Sequence, residues 1–225
     1  MFASVSKSAE EINTAMSRVY LNMMLAVLNS MVVSFLISQS PAAVTLLFGT
    51  PVKWLVMFAP LIMIFVIGAV MDSVSRSTAQ LLLHAFAAVM GLSLASIFVV
   101  YTSGSIVSAF GGAAVLFGTM SFYGYFTKRS LESVGQFMFI GLIAIIIASI
   151  VNIFIGSTVL QMVISALAII IFLGLTAYDT QQIREMVTYD TGSAVEVMGA
   201  LTLYLDFINL FLNLLQLFGI AKSDD

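Results

Sequence analysis

Residues 137–155 and 159–178 read FMFIGLIAIIIASIVNIFI and VLQMVISALAIIIFLGLTAY, two apolar stretches without a charged residue, separated by Gly156-Ser157-Thr158. Each has the roughly 20 residues that a helix needs to cross about 30 Å of hydrocarbon. The small and polar residues between them are typical of a tight turn. The pair therefore predicts two membrane-spanning helices joined by a very short loop.

Five further apolar stretches are also about 20 residues long, which makes seven predicted spans: residues 19–37, 54–71, 79–101, 106–125, 137–155, 159–178 and 198–220. They are continuously apolar, whereas barrel strands alternate, so we expect helices. The predicted fold is an all-α integral membrane protein with a seven-helix domain at 19–220, an N-terminal tail in water at 1–18 and a short C-terminal tail at 221–225. The last stretch carries Asp206, and an alternative in which it enters the membrane and returns to the same side stays open.

The composition of the 225-residue chain agrees with this fold. Apolar and aromatic residues make up 61% and charged residues 8%, against roughly a quarter charged in soluble domains. Eight basic and eleven acidic residues are too few to coat a soluble surface or to neutralise a nucleic-acid backbone. With no Cys and one His, disulfides, zinc-thiolate sites and thiol nucleophiles are excluded. We expect no nucleic-acid partner and no tightly bound cofactor.

The basic residues predict the orientation, because Lys and Arg concentrate in cytoplasmic loops. A cytoplasmic N-terminus places six of them on the cytoplasmic side and two outside. The six are Lys7, Arg18, Arg76, Lys128, Arg129 and Arg184, and the two are Lys53 and Lys222.

Two aspartates fall within or next to the predicted spans. Asp206 lies near the middle of the seventh span and Asp179 at the end of the sixth. A charged side chain at membrane depth costs about 2.5–3.5 kcal/mol, so one that is present usually faces the protein interior and has a role. For Asp206 the alternative is a purely structural role, and for Asp179 it is a helix-end carboxylate in water.

Polar residues accompany Asp206 along one face of the seventh span. Thr202, Asn209, Asn213 and Gln216 recur with it at spacings of four, three, four and three, which is the helical period. We take these four residues as candidates for lining a polar pathway. The alternative is that they form hydrogen bonds to neighbouring helices.

Two carboxyl groups that meet in a site of low dielectric can share one proton near neutral pH, which makes the pair a pH sensor. When both ionise, their oxygens attract a divalent cation. Calcium takes about six to eight oxygen ligands, so Asp179 and Asp206 predict a transient calcium site in a leak pathway rather than a storage site. Arg76 lies on the predicted cytoplasmic side, where it could pair with Asp179 or serve only to fix the topology.

Three segments of the chain resemble the Bax inhibitor family of bacterial and organellar membrane proteins. They are FYGYFTKR at 122–129, GLTAYDTQQI at 174–183 and ALTLYLDFINLF at 200–211, and the resemblance extends over the whole array of spans. It implies a seven-helix bundle with the last helix central, and a pH-sensitive calcium leak gated by Asp179 and Asp206. Protonation would close the path and ionisation would open it.

The resemblance also implies an arginine near the end of the second span that latches one aspartate in the closed state. Arg76 is the candidate latch. The chain departs from the family pattern at this point, because bacterial members carry a basic cluster where this chain has Asp72 followed by Arg76. A bacterial inner-membrane location and a link to a membrane-bound protease follow from the same resemblance.

Two alternatives to a leak channel remain. Intramembrane aspartyl proteases also carry two aspartates on their sixth and seventh spans, and Tyr178-Asp179 resembles their first motif. Their second motif, Gly-x-Gly-Asp, has no counterpart at Tyr204-Leu205-Asp206. The other alternative is a regulator of a membrane protease or stress complex that transports nothing. The residues favour the leak channel, and with it a protein that is not an enzyme.

Overall fold

The computed structural model describes residues 7–189 and 193–222, and these form eight α-helices. They are α1 (Ala9–Ser38), α2 (Pro41–Gly49), α3 (Val52–Val70), α4 (Arg76–Val100), α5 (Ser103–Phe126), α6 (Glu132–Ile155), α7 (Thr158–Tyr189) and α8 (Ser193–Phe218), with a short 3₁₀ helix at Met71–Ser73. All except α2 are long and apolar enough to cross a membrane. The protein is all-α with seven candidate spans, as the sequence predicts.

Two helices, α1 and α7, extend at one end by about ten residues beyond the spans predicted for them. The N-terminal tail predicted for residues 1–18 ends at Ser8, because α1 begins at Ala9 and buries Ala15 and Met16. Ser8 and Glu11 form a capping box: the Ser8 hydroxyl accepts a hydrogen bond from the Glu11 amide, and the Glu11 carboxylate accepts one from the Ser8 amide at 2.8 Å. This box satisfies amide groups that the first turn leaves free.

Helix α7 continues past the predicted end of its span to Tyr189. Asp179 therefore lies inside a helix with ten more residues to follow, and it is not the helix-end carboxylate of the alternative reading. Helix α8 is uninterrupted over 26 residues, about 39 Å at 1.5 Å per residue. A segment that enters the membrane and returns would have to reverse direction, and α8 does not.

The two short loops predicted inside the long apolar tracts are confirmed. Helices α4 and α5 are separated by Tyr101 and Thr102 alone, and α6 and α7 by Gly156 and Ser157. Gly156 has φ of 68°, a left-handed conformation that glycine adopts without the steric cost of a Cβ atom. Its amide donates to the carbonyl of Asn152 at 2.7 Å. Many helices end in this way, with a left-handed glycine that satisfies a free carbonyl group of the last turn.

The helices divide into two compact units. The first comprises Met1–Thr102, Met186–Tyr204 and Ala221–Asp225, and the second comprises Ser103–Glu185 and Leu205–Ile220. In the first unit α1 packs closely on α4, since a Cβ atom on Gly91 would lie 2.7 Å from the carbonyl oxygen of Ser30. Of the predicted C-terminal tail, Ala221 pairs with Tyr101, whereas residues 223–225 lie outside the described part of the chain.

In the second unit, buried side chains of α6 and α7 form an apolar cluster: Ile145, Ile164, Ala168, Ile171, Phe172 and Leu175. Helix α8 contributes residues to both units and is the most buried of the seven long helices. In its most apolar window 67% of the residues are buried, against 11% to 33% in the other six. On its polar face Asp206 is buried, whereas Thr202, Asn209 and Asn213 are partly buried and Gln216 is exposed.

Candidate functional site

Asp179 on α7 and Asp206 on α8 meet within the second unit. Their side chains are hydrogen-bonded to each other. Asp206 is 4% exposed, and its Oδ2 atom is the one buried side-chain nitrogen or oxygen in the described residues without a hydrogen-bond partner. An ionised carboxylate only accepts hydrogen bonds, so a bond between two carboxyl groups requires a proton on one of them. The contact between the two carboxyl groups agrees with the sequence-based prediction of a shared proton, which stays a prediction.

Aromatic packing holds α8 beside this pair. The Phe207 ring, next to Asp206, makes edge-to-face contacts with Phe110 and Phe117 of α5 at centroid distances of 5.2 and 5.7 Å. Phe211, one turn further along α8, contacts Phe110 at 5.9 Å. These contacts pack α8 against α5, and because Asp206 is 4% exposed, a second negative charge there is costly.

Close contacts with α5 and α6 also fix the position of α7. A Cβ atom on Gly124 of α5 would lie 2.8 Å from the carbonyl carbon of Ala177, and one on Gly135 of α6 would lie 2.5 Å from the Tyr178 ring. Only glycine allows these approaches. The turn of α7 that carries Asp179 is thus wedged between α5 and α6.

Side-chain hydrogen bonds fasten the same turn of α7. Thr180 Oγ1 lies 3.3 Å from Ser121 Oγ of α5. The Gln181 side chain accepts from the Leu131 amide at 2.8 Å and donates to the Arg129 carbonyl at 3.0 Å. Gln181 thereby ties α7 to the loop between α5 and α6, two residues after Asp179.

The polar residues predicted to line a pathway lie on α8 as expected, and their hydrogen bonds are mostly local. Thr202, Asn209 and Asn213 each donate to a carbonyl four residues earlier in α8, at 3.2, 2.8 and 2.8 Å. Gln216 differs, because its side-chain oxygen accepts a bond from Ser165 Oγ of α7 at 2.8 Å. The interhelical alternative therefore holds for Gln216, and the pathway role of all four residues stays a prediction.

Arg76, the candidate latch, is held by a partner that the sequence did not indicate. Its Nη2 donates to Glu196 Oε2 at 2.6 Å. Arg18 also binds this carboxylate, with Nη2 to Oε1 at 2.6 Å and Nε to Oε2 at 2.9 Å. The side chain of Glu196 is 9% exposed, whereas those of Arg18 and Arg76 are 44% and 38% exposed. A latch between Arg76 and Asp179 stays a prediction.

Comparison with known proteins identifies the family. The family model described as "Inhibitor of apoptosis-promoting Bax1" matches residues 12–223. The chain belongs to the Bax inhibitor family. It is 40% identical to the inner membrane protein YbhL of Escherichia coli over 223 residues, which cover 96% of this chain and 95% of YbhL. An uncharacterized protein of Rickettsia prowazekii is 39% identical over 208 residues, 87% of this chain and 88% of that protein.

Membership of the Bax inhibitor family agrees with the resemblance, and the structure adds residues that the sequence did not single out. The candidate latch Arg76 shares the Glu196 carboxylate with Arg18. Two residues after Asp179, Gln181 binds the loop between α5 and α6. Glu196 carried no distinguishing signal, since Glu10, Glu11 and Glu132 also lie in the first turns of long helices. Nothing in the pattern names its partners, because those depend on how distant helices pack.

The described residues contain no group of three or more His, Cys, Asp or Glu side chains that could hold a metal ion. The carboxyl pair offers two acidic ligands, which is the number that the sequence indicated for transient calcium binding. A calcium ion there would take its other ligands from carbonyl groups, amide side chains or water.

Proposed function

We propose that this Bax inhibitor family member is a pH-sensitive calcium leak channel of a bacterial inner membrane, gated by Asp179 and Asp206. The observation that carries the proposal is the hydrogen bond between the two carboxyl groups, with Asp206 buried and its Oδ2 unpartnered. The family membership and the seven candidate spans support a transport role.

The proposed gate works through one proton. With the proton in place, the pair carries a single negative charge and its hydrogen bond holds α7 to α8. When the proton leaves, two negative charges face each other in a poorly hydrated site and repel strongly. Separation of the carboxylates weakens the contact between α7 and α8, and the freed oxygens are hard ligands suited to calcium. Calcium flux should therefore rise with pH.

The partner of Arg18 and Arg76 supports this proposal. Both arginines pair with Glu196, and these ion pairs involve neither aspartate. A carboxyl pair that is neutralised by arginine would stay ionised over the physiological range, whereas a pair without such a partner has to bind a proton or a metal ion. In this proposal Thr202, Asn209, Asn213 and Gln216 line the path beyond the pair.

The location and orientation are part of the proposal. YbhL of Escherichia coli is named an inner membrane protein, which supports this location. Six of the eight Lys and Arg residues favour a cytoplasmic N-terminus. The carboxyl pair would then respond to protons that reach it from the cytoplasm through the end of α7.

Calcium entry into dye-loaded liposomes tests the proposal. The purified protein is reconstituted, and the external pH is stepped from about 5 to about 8, the range in which a shared carboxyl proton leaves. Flux should increase with pH in the wild type and disappear in a double Asp179→Asn, Asp206→Asn variant. Glu132→Gln is the matched control, since it removes an exposed acid from the same unit and should leave both flux and pH response unchanged.

Flux that is equal in the wild type and the double variant would refute the gate. Flux no higher than that of empty liposomes, from protein shown to be folded, would favour a non-transporting regulator. Purification of the native complex and a search for a bound membrane protease would then be the next step.

A further inference from the structure

Helix α2 (Pro41–Gly49) connects α1 to α3 and was not among the predicted spans. Nine residues reach about 13.5 Å, less than half of the hydrocarbon thickness. It contains no charged residue and buries none of its side chains fully. We propose that α2 is an in-plane membrane helix whose exposed face lies at the boundary between lipid headgroups and acyl chains.

Backbone groups at both ends of α2 have hydrogen-bond partners, as a poorly hydrated environment requires. Pro41 occupies the first turn, where its missing amide costs nothing. The Ser40 hydroxyl accepts from the Ala43 amide at 3.3 Å, and the Thr50 hydroxyl donates to the Leu46 carbonyl at 2.7 Å. Backbone groups without partners are what excludes irregular segments from lipid. In α2 side chains at both ends supply such partners.

The burial pattern of α2 follows the helical period. Ala43, Val44, Leu47 and Phe48 are partly covered, whereas Ala42, Thr45, Leu46 and Gly49 are exposed. The covered set faces the protein, since α2 contacts α1, α3 and α4. The exposed set contains a leucine that is 56% exposed and only one polar side chain. A helix lying on a water-facing surface presents charged or polar residues on that side, so lipid is the environment that fits this face.

The position of α2 along the chain places it at a membrane surface. It follows the end of one span and precedes the start of the next, and α3 opens with Lys53 and Trp54. The Lys53 ammonium lies 5.4 Å from the Trp54 ring centroid, and Trp54 is 54% exposed. Tryptophan and lysine are typical anchors at the membrane interface. The occupant of the α2 face is therefore the lipid bilayer itself.

The test uses the absence of native cysteine. Leu46→Cys is spin-labelled in the full protein in liposomes, and collisions with oxygen, which concentrates in lipid, are compared with collisions with a water-soluble nickel chelate. Two matched labels calibrate the scale: Ser130→Cys in an exposed loop and Ile147→Cys on α6, which is 57% exposed within its span. We expect oxygen to dominate at position 46, at a depth of about 5–10 Å below the phosphates.

A label at position 46 that matches the Ser130 label would overturn the proposal. So would spin–spin broadening that disappears on dilution with unlabelled protein, since it would mean that a second copy covers the face. Ala42→Cys, a smaller change on the same face, replaces Leu46→Cys if the latter does not fold. Trp54 is the chain's single tryptophan, and quenching of its fluorescence by brominated lipids should be strong. Absence of that quenching contradicts the interfacial position. The proposal depends on the membrane fold and not on calcium transport.

Discussion

Replacing Gly124 by alanine should force α5 away from α7. A Cβ atom at this position would lie 2.8 Å from the carbonyl carbon of Ala177 and 2.9 Å from its Cα atom, and closer still to its carbonyl oxygen. Ordinary van der Waals contact begins at about 3.4 Å, and real Cβ atoms essentially never approach below 3.0 Å. The opposing atoms belong to the backbone of a helix, so no side chain can rotate to make room.

Overpacking of this kind costs about 1–3 kcal/mol. For a chain of this size one kcal/mol corresponds to a shift in Tm of roughly 2–4 °C, so Gly124→Ala should lower the Tm by roughly 2–12 °C. Gly118 of the same helix provides the matched control, because nothing lies within 4 Å of a Cβ atom there. Alanine is the better helix former by about 0.5–1 kcal/mol, so Gly118→Ala should leave the Tm unchanged or raise it slightly.

Thermal unfolding of both variants in the same detergent, followed by circular dichroism, measures the difference. Because Ala177 lies two residues before Asp179, Gly124→Ala should also shift the pH at which calcium flux is half-maximal, whereas Gly118→Ala should not. Equal Tm values for the two variants would refute the close α5–α7 approach. A lower Tm with an unchanged pH response would show that the contact is structural and does not position the carboxyl pair.

Three further changes test the polar contacts around the two units. Glu196→Gln leaves two arginines without their shared counter-charge. Because both arginines are over a third exposed, it should lower the free energy of unfolding by only about 1–2 kcal/mol. The decrease in Tm should be smaller in high salt, and a decrease independent of salt would contradict an electrostatic cause. Gln181→Leu removes two bonds to the α5–α6 loop and should accelerate hydrogen exchange at the Leu131 amide; unchanged exchange would refute the tie. Tyr204→Phe removes a buried 2.6 Å bond to Ser30 and should lower stability by about 1 kcal/mol, which a wild-type Tm would disprove.

The long helices could be predicted because their signal is local. A run of about 20 apolar residues has one structural solution in lipid. The helix found at 103–126 begins three residues before its predicted span, and the helix found at 132–155 begins five residues before its own. The start of α1 was missed because the span rule ignores polar helical turns, although the capping box at Ser8 and Glu11 was visible in the sequence. Helix α2 was missed because it is too short to satisfy the rule.

Only those residues of the candidate site could be predicted that are unusual by themselves, without knowledge of their contacts. A lone carboxylate inside an apolar run is conspicuous, so Asp206 and Asp179 were found without knowledge of the packing. The Glu196 contacts join residues 178 and 120 positions apart, and no local pattern encodes such pairings. The period of the polar residues on α8 was correct, but period alone does not tell whether a side chain bonds to its own helix, as Asn209 does, or to a neighbour.

The burial of α8 has a consequence for biosynthesis. Helix α6 exposes most of its surface and can enter lipid on its own, whereas α8 carries Asp206 and two asparagines and is two-thirds buried in its most apolar window. A helix that carries charged and polar residues inserts poorly into lipid by itself. We therefore expect α8 to insert against the helices made before it, which cover its polar residues. A nascent chain that has released α7 but not α8 holds Asp179 without its carboxyl partner. The contact between the two carboxyl groups therefore forms only after the last long helix has been made.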